Sequence, residues 1–164
     1  MKAVVVYESL WGNTAAIARA IAEGIGSEAQ ALTTDKATAD VIADVDLIVA
    51  GSPLLGFTLP TDKIRENIDK TEGGGKNPPD IAHPSIRSWL DGMSKGQGRA
   101  AAFETRFWWS PGSAAKAILK RLEAAGYAAA AKPEKFIVTG KYGPLKDGEV
   151  ERARQWGADL AKLD

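Results

Sequence analysis

The sequence predicts one α/β domain, a doubly wound, five-stranded parallel sheet of order 2-1-3-4-5 held between two helix layers in a three-layer sandwich. Three observations predict it. Val4-Val5-Val6, Leu47-Ile48-Val49-Ala50 and Ala100-Ala101-Ala102-Phe103 are near-continuous apolar runs, the pattern of inner parallel strands covered on both faces. Helical periodicities alternate with the strand-like runs, which requires right-handed crossovers. With 164 residues the chain suits a single domain spanning 1–164, able to bury roughly 70% of its unfolded surface.

The first strand runs from Lys2 to Tyr7. In the helix that follows, Ile17, Ile21 and Ile25 recur at four-residue spacing with Ala18 and Ala22 beside them, and Gly24 and Gly26 end it. The second strand lies at about Glu28 to Leu32 and the third at Asp46 to Gly51, with a short helix over Ala37 to Ala43 between them. Glu66 to His83, with Gly73-Gly74-Gly75 and Pro78-Pro79, reads as one long loop, a lid or partner contact on one reading and a linker on the other. Ser85 to Met93 is helical. Arg99 to Glu104 is the fourth strand, and Ser113 to Ala125 is a helix with Ala114, Ile118 and Leu122 on one face and Gly126 as its stop. Lys135 to Gly140 is the fifth strand, running into a Gly143-Pro144 turn. The last helix covers Gly148 to Leu163, with Val150, Ala153, Gly157 and Leu160 facing inward and Trp156 in the core.

Composition narrows the function. Apolar residues make up 45% and charged residues 26%, ordinary for a soluble globule. The formal net charge is zero, and no basic stretch is interleaved with aromatics, so neither nucleic acid nor a membrane surface is an expected partner. The chain has no cysteine, which excludes disulfides, thiolate metal sites and cysteine nucleophiles. Met1-Lys2 leads straight into a strand without the pattern of a signal peptide, so a cytoplasmic protein is expected.

The chemistry concentrates in Tyr7-Glu8-Ser9-Leu10-Trp11-Gly12-Asn13-Thr14, between the first strand and the first helix. Strand, hydroxyl- and glycine-containing loop, then helix is an arrangement that holds phosphate, through free backbone N–H groups and the helix dipole. Ser9 and Thr14 offer hydroxyls, Asn13 an amide, Leu10 to Thr14 their N–H groups, and Gly12 permits a tight turn. The loop has no lysine, so it is not an NTPase loop. It suits a single phosphate monoester held by neutral donors; an ordinary helix cap is the plainer alternative. Other classes fail on their residues. A receiver domain needs acidic residues where this chain has Glu8-Ser9 and Gly51-Ser52, and a dinucleotide fold needs Gly-x-Gly-x-x-Gly where Gly12 stands alone. A Ser9 hydrolase lacks a nearby base, since His83 lies far along the chain and without nearby carboxylates is no metal site.

Tyr7-x-Ser9-x-x-Gly12-x-Thr14-x-x-x-Ala18-x-x-Ile21 resembles the N-terminal signature of the flavodoxin family without a mismatch. The resemblance implies the flavodoxin-like fold and non-covalent FMN, with Ser9, Leu10, Trp11, Gly12, Asn13 and Thr14 around its phosphate. Trp11 departs from the third hydroxyl of many flavodoxins, and is similar to members allied to flavin-dependent quinone reductases. By the same resemblance, Pro53, Leu54, Leu55, Gly56 and Phe57 pass the dimethylbenzene and N5 side of the flavin. Gly56 matches a glycine whose peptide can flip, and Leu55 or Phe57 covers a ring face. Glu104, Thr105, Arg106 and Phe107 belong to the loop that meets the pyrimidine edge.

Arg106 is unusual where many electron-carrying relatives are acidic. A cation there stabilises an anionic reduced flavin and makes the cofactor less reducing; pairing with Glu104 on the surface is the alternative. Trp108 and Trp109 read as loop anchors or as cofactor contacts. The resemblance implies an electron-transfer protein whose partner is a redox protein or small acceptor. The alternatives are an NAD(P)H-dependent quinone reductase-type flavoenzyme and a flavin-free interaction module. No catalytic residue and no metal ligand is assigned, and the oligomeric state is not readable.

Overall fold

The computed structural model describes residues 1–163. Its elements follow in the order β1 (Ala3–Tyr7), α1 (Asn13–Ile25), β2 (Ala29–Thr33), α2 (Ala39–Ile42), β3 (Leu47–Pro53), α3 (Asp62–Glu72), α4 (Ile86–Asp91), β4 (Arg99–Arg106), α5 (Ala114–Ala124), β5 (Ala128–Ala129), β6 (Glu134–Ile137) and α6 (Glu149–Ala161). The sheet is parallel throughout, with the order β2-β1-β3-β4-β5, and β6 also lies along β4. The 2-1-3-4-5 order expected from the apolar runs is present. The fifth strand is split: two residues pair with the start of β4, and four more pair with its end after an Ala130–Pro133 detour.

Alternation along each central strand builds two cores. Val4, Val6, Ile48, Ala50, Ala100 and Ala102 face one side, where Ile86 and Leu90 of α4 and Ile118 and Leu122 of α5 cover them. Ala3, Val5, Leu47, Val49, Ala101 and Phe103 face the other, against Ile17 and Ile21 of α1 and Ala153 and Leu160 of α6. Fully buried strands with no polar face explain the unbroken hydrophobic runs. On the second side α1 and α6 approach backbone to backbone. A Cβ on Gly157 would stand 2.2 Å from the Ile21 carbonyl oxygen, and one on Gly24 would stand 1.9 Å from that of Arg154. Gly24 thus sits within α1 and serves contact rather than termination. Trp156 packs at the edge of this core, 6.2 Å from the Phe136 ring, while Val150 is exposed instead of facing inward.

One expectation needs correction. Part of the stretch read as a loop, Glu66 to His83, is helix: α3 begins at Asp62 and ends at Glu72, so the irregular segment starts only at Gly73. Thr61 caps α3 by accepting from the Ile64 N–H at 3.1 Å. Its side chains are all at least partly exposed, and Ile64 and Ile68 alone give it an apolar seam. The helix therefore sits on the rim of the domain, above the carboxyl ends of the strands. Among the described residues, no helix is long and apolar enough to cross a membrane.

Candidate functional site

Register brings three strand ends to one place. Tyr7 of β1 pairs with Gly51 of β3, and Pro53 of β3 pairs with Thr105 of β4, so the loops leaving these strands emerge side by side. A cleft of about 100 Å³ lies between them. Ser9, Leu10, Trp11, Asn13 and Thr14 line it from the first loop, Pro53, Leu54 and Leu55 from the second, and Thr105, Arg106 and Phe107 from the third. Ile68 of α3, Val138 and Lys141 complete the wall. Its ionisable residues, Arg106 and Lys141, are both basic. A larger hollow of about 750 Å³ lies between α2 and α4, lined by Ile42, Trp89 and Tyr127 among others. It lacks the converging strand ends that mark ligand sites in this architecture.

The first loop carries a row of open donors. Gly12 has φ 92°, which turns the chain into α1. Ser9 Oγ accepts from the Gly12 N–H at 3.1 Å and the Ala15 N–H at 3.2 Å, so this hydroxyl caps the helix from inside the loop. Thr14 Oγ1 meets Thr105 Oγ1 at 2.7 Å and ties the first loop to the third. Among the described residues, the N–H groups of Leu10, Trp11, Asn13 and Thr14 find no intramolecular acceptor. Leu10 and Thr14 are buried, where an unpaired donor costs on the order of 1–3 kcal/mol, and with the half-buried Trp11 and Asn13 they form a cradle suited to an anion. The space over Gly12 is open, since a Cβ there would meet nothing within 4 Å.

The same loop is held from behind. His83 is buried, and its Nε2 accepts the Ser9 N–H at 3.2 Å. The Asp80 N–H donates to the Leu10 carbonyl at 2.8 Å. Burial pushes the His83 ring below its usual range. Glu8, fully buried, accepts the Ile86 N–H at 3.0 Å on one oxygen and faces Arg65 Nε at 3.1 Å with the other, an ion pair not aligned for a hydrogen bond. Burial raises the Glu8 carboxyl above the ordinary carboxylate range, against the pull of the Ile86 N–H and Arg65.

The cleft mouth is spanned. Trp11 Nε1 donates to the Asn77 carbonyl at 2.9 Å, and its ring meets Tyr142 edge-on at 5.2 Å. Glu72, at the end of α3, accepts from both Lys141 and Tyr142, which lie across the mouth on the loop after β6.

The second and third loops differ from expectation in part. Leu55 and Thr58 exchange backbone bonds around Gly56 and Phe57, both at positive φ. Phe57, at φ 67°, is 63% exposed at the turn tip, so it does not cover the cleft; Leu55 does reach it. Glu104 turns into the protein. Its carboxylate accepts from Ser113 Oγ at 2.7 Å, the Ala115 N–H at 3.2 Å and Arg106 Nη1 at 3.3 Å, so it braces the start of α5 instead of meeting a ligand. Arg106 pairs with it in the interior rather than on the surface, and also donates to the Gly112 carbonyl at 2.8 Å. Phe107 stacks on Trp109 at 5.4 Å, and Trp108 stands 77% exposed beside them.

Of the residues singled out from sequence, Gly12, Gly56, Phe57 and Glu104 lie off the cleft wall, and the other eleven line it. Sequence reasoning missed Ile68, Val138 and Lys141 on that wall, and Glu8 and His83 behind it. A lone histidine and a carboxylate inside the loop motif were the available signals.

No protein-family model matches the chain, and no curated protein matches it. Solved structures do. The chain is similar to a flavodoxin from the domain Archaea, with 22% identity and TM-score 0.68 over 99% of this chain and 97% of that one. It is also similar to two Bacillus cereus flavodoxins, flavodoxin 1 (20% identity, TM-score 0.66, 99% and 98% covered) and flavodoxin 2 (15%, 0.69, 99% and 99%). The fold is the flavodoxin-like one along nearly its whole length.

Proposed function

We propose that this chain binds FMN in the cleft at the strand ends and serves as an electron-transfer protein. The observation that carries the reading is the row of four unpaired N–H groups at the start of α1, facing a wall whose charged members are cations. These residues fit a phosphate monoester. The N–H groups of Leu10, Trp11, Asn13 and Thr14 would hold it, with the helix dipole behind them. Leu54, Leu55 and Phe107 offer apolar surface for a flat ring. When bound, FMN supplies one- and two-electron redox chemistry.

The chain's own residues orient and shield. Ser9 keeps the loop wound around the helix start, and the Thr14–Thr105 bond keeps the first and third loops in register. A cleft of about 100 Å³ is narrower than the roughly 300–1,000 Å³ of typical ligand sites, so ring entry requires α3 and the loop after β6 to separate. The bond from Trp11 to Asn77 and the contacts of Glu72 with Lys141 and Tyr142 are the ones that must yield. The exposed aromatic rim of Phe57, Trp108 and Trp109 offers a redox partner protein an apolar landing surface beside the ring.

Purified protein tests the reading directly. A yellow preparation that releases FMN on denaturation, and an apoprotein that quenches FMN fluorescence with sub-micromolar affinity but riboflavin far more weakly, are expected. A colourless product that takes up no FMN at micromolar concentration overturns it. Rapid NAD(P)H oxidation in the presence of a quinone would replace the carrier reading with a reductase.

A further inference from the structure

We propose that His83 is a positioning residue for the phosphate loop: its unprotonated ring receives the Ser9 N–H from behind, the loop holds an anion well only in that state, and acidification releases the ligand. The inference rests on the reading of the cleft as an FMN site.

The geometry is specific. His83 is the single histidine of the chain, 5% exposed, and 74 positions from Ser9 in sequence. A ring nitrogen that accepts an N–H at 3.2 Å carries no proton, so the proton of the neutral ring is on Nδ1. Nδ1 lies 3.7 Å from Asp80 Oδ1, which favours that tautomer electrostatically. The backbone that carries the ring is held at the carbonyls just past its Cα. Arg65 Nη2 donates to the His83 carbonyl at 2.6 Å, and Thr34 Oγ1 donates to the Pro84 carbonyl at 2.6 Å. The Asp80 N–H bond to the Leu10 carbonyl fixes the next loop residue to the same segment.

Protonation sets two donors, Nε2–H and the Ser9 N–H, against each other in a buried space. Ser9 must shift, and its hydroxyl holds the N–H groups of Gly12 and Ala15, so the shift passes to the start of α1. The charged neighbours of the ring come from several elements. Asp80 on its own segment and Asp35 after β2 favour the cation; Arg65 on α3 opposes it, as does burial, which is the largest influence. Glu8, just after β1, faces Arg65 and partly balances it. An imidazolium behind the loop also attracts a phosphate in front of it. That pull has the opposite sign to the loss of the acceptor, and the experiment separates the two.

Because there is one histidine, its imidazole nitrogen signals in a labelled protein need no assignment. They are followed with FMN affinity from about pH 8 to about pH 5, in the wild type and in His83→Gln, whose amide oxygen accepts the Ser9 N–H at every pH. The variant also corrects for the second phosphate ionisation of FMN, at pKa about 6. Expected are an Nδ1–H tautomer, a titration below the ordinary histidine range, and an FMN Kd that rises about tenfold through that titration relative to His83→Gln. His83→Ala should bind weakly at all pH values. An Nε2–H tautomer, parallel pH profiles in the wild type and His83→Gln, or tighter binding on acidification each overturn the proposal. If FMN does not bind even at neutral pH, the cofactor reading fails by itself. Inorganic phosphate is then the probe, and the Leu10 to Thr14 amide signals either respond to it in step with His83 titration or refute the role of His83.

Discussion

Glu8 and Arg65 face each other at 3.1 Å, the first fully buried just past the end of β1 and the second half-buried on a helix with no buried side chain. The pair fastens α3 to the sheet directly behind the loop from Ser9 to Thr14. Glu8 is the less comfortable member, because burial raises its carboxyl and the Arg65 N–H is poorly aligned. A carboxyl whose folded pKa lies above its unfolded one adds stability that is present in full below the unfolded pKa and is lost as pH rises through the folded pKa. Arg65→Ala pushes it higher still. The variant should lose about 3 kcal/mol at neutral pH, and the deficit should shrink in mild acid as Glu8 takes up a proton. Glu8→Gln keeps an acceptor for the Ile86 N–H and should stay within about 1 kcal/mol of the wild type. Urea midpoints at the two pH values check this; an Arg65→Ala deficit that ignores pH contradicts it.

Two glycines of similar appearance in sequence should respond differently to alanine. Gly12 has open space around its missing Cβ and a φ of 92°, so Gly12→Ala meets only backbone strain, about 1–2 kcal/mol. Gly157 has an ordinary helical conformation, but its Cβ would stand 2.2 Å from the Ile21 carbonyl oxygen. Gly157→Ala must push α6 off α1 and should cost about 3 kcal/mol. Denaturation should rank Gly157→Ala as the more damaging for stability, while FMN titration should rank Gly12→Ala as the more damaging for binding. The reverse ranking would mean that the loop geometry does not serve a ligand.

The clasp at the mouth makes a kinetic prediction. Lys141 and Tyr142, both exposed, donate to the half-buried Glu72 at the surface, so salt weakens the contact. Glu72→Gln should speed FMN association and dissociation together, with Kd changing less than either rate. Stopped-flow fluorescence in low and high salt checks this. In high salt the wild type should approach the variant, and a variant with unchanged rates would show that the ring enters elsewhere.

Much of this was legible in the chain. The runs at Val4, Leu47 and Ala100 located the central strands because burial on both faces leaves no polar alternation to confuse the pattern. The loop from Ser9 to Thr14 was legible because its residue types are dictated by local backbone chemistry. Helix α3 was not, although Thr61 as cap, Asp62 in the first turn and Ile64 with Ile68 four apart were present. A helix on the rim has little hydrophobic face, and the triple glycine after it drew its second half into the loop. The split of the fifth strand turns on the Ala130–Pro133 detour, where alanines carry no signal for either face. Glu104, Arg106, Glu8 and His83 look like surface residues in sequence. The Arg106–Glu104 pairing was readable two positions apart, but its burial was not, and Glu8 and His83 are buried through partners 57 and 74 positions away, which no local pattern reveals.

Arg106 and Glu104 lead to the last prediction, on the potential of the bound flavin. Had the guanidinium stood alone, its charge would act on the ring in full. In the fold it is buried against Glu104 at 3.3 Å, so the pair presents a dipole with its positive end on the cleft wall. Arg106→Ala leaves Glu104 supported by the Ser113 hydroxyl and the Ala115 N–H, so the fold should survive with the negative charge uncovered. The anionic reduced flavin is then disfavoured, and the midpoint potential should fall by an amount on the order of tens of millivolts. Glu104→Gln removes the opposing charge and should raise the potential instead. Spectroelectrochemical titration of both variants decides the matter. Shifts of opposite sign establish that this pair tunes the cofactor, whereas shifts of the same sign, or none, leave Arg106 only its structural bonds to Glu104 and Gly112.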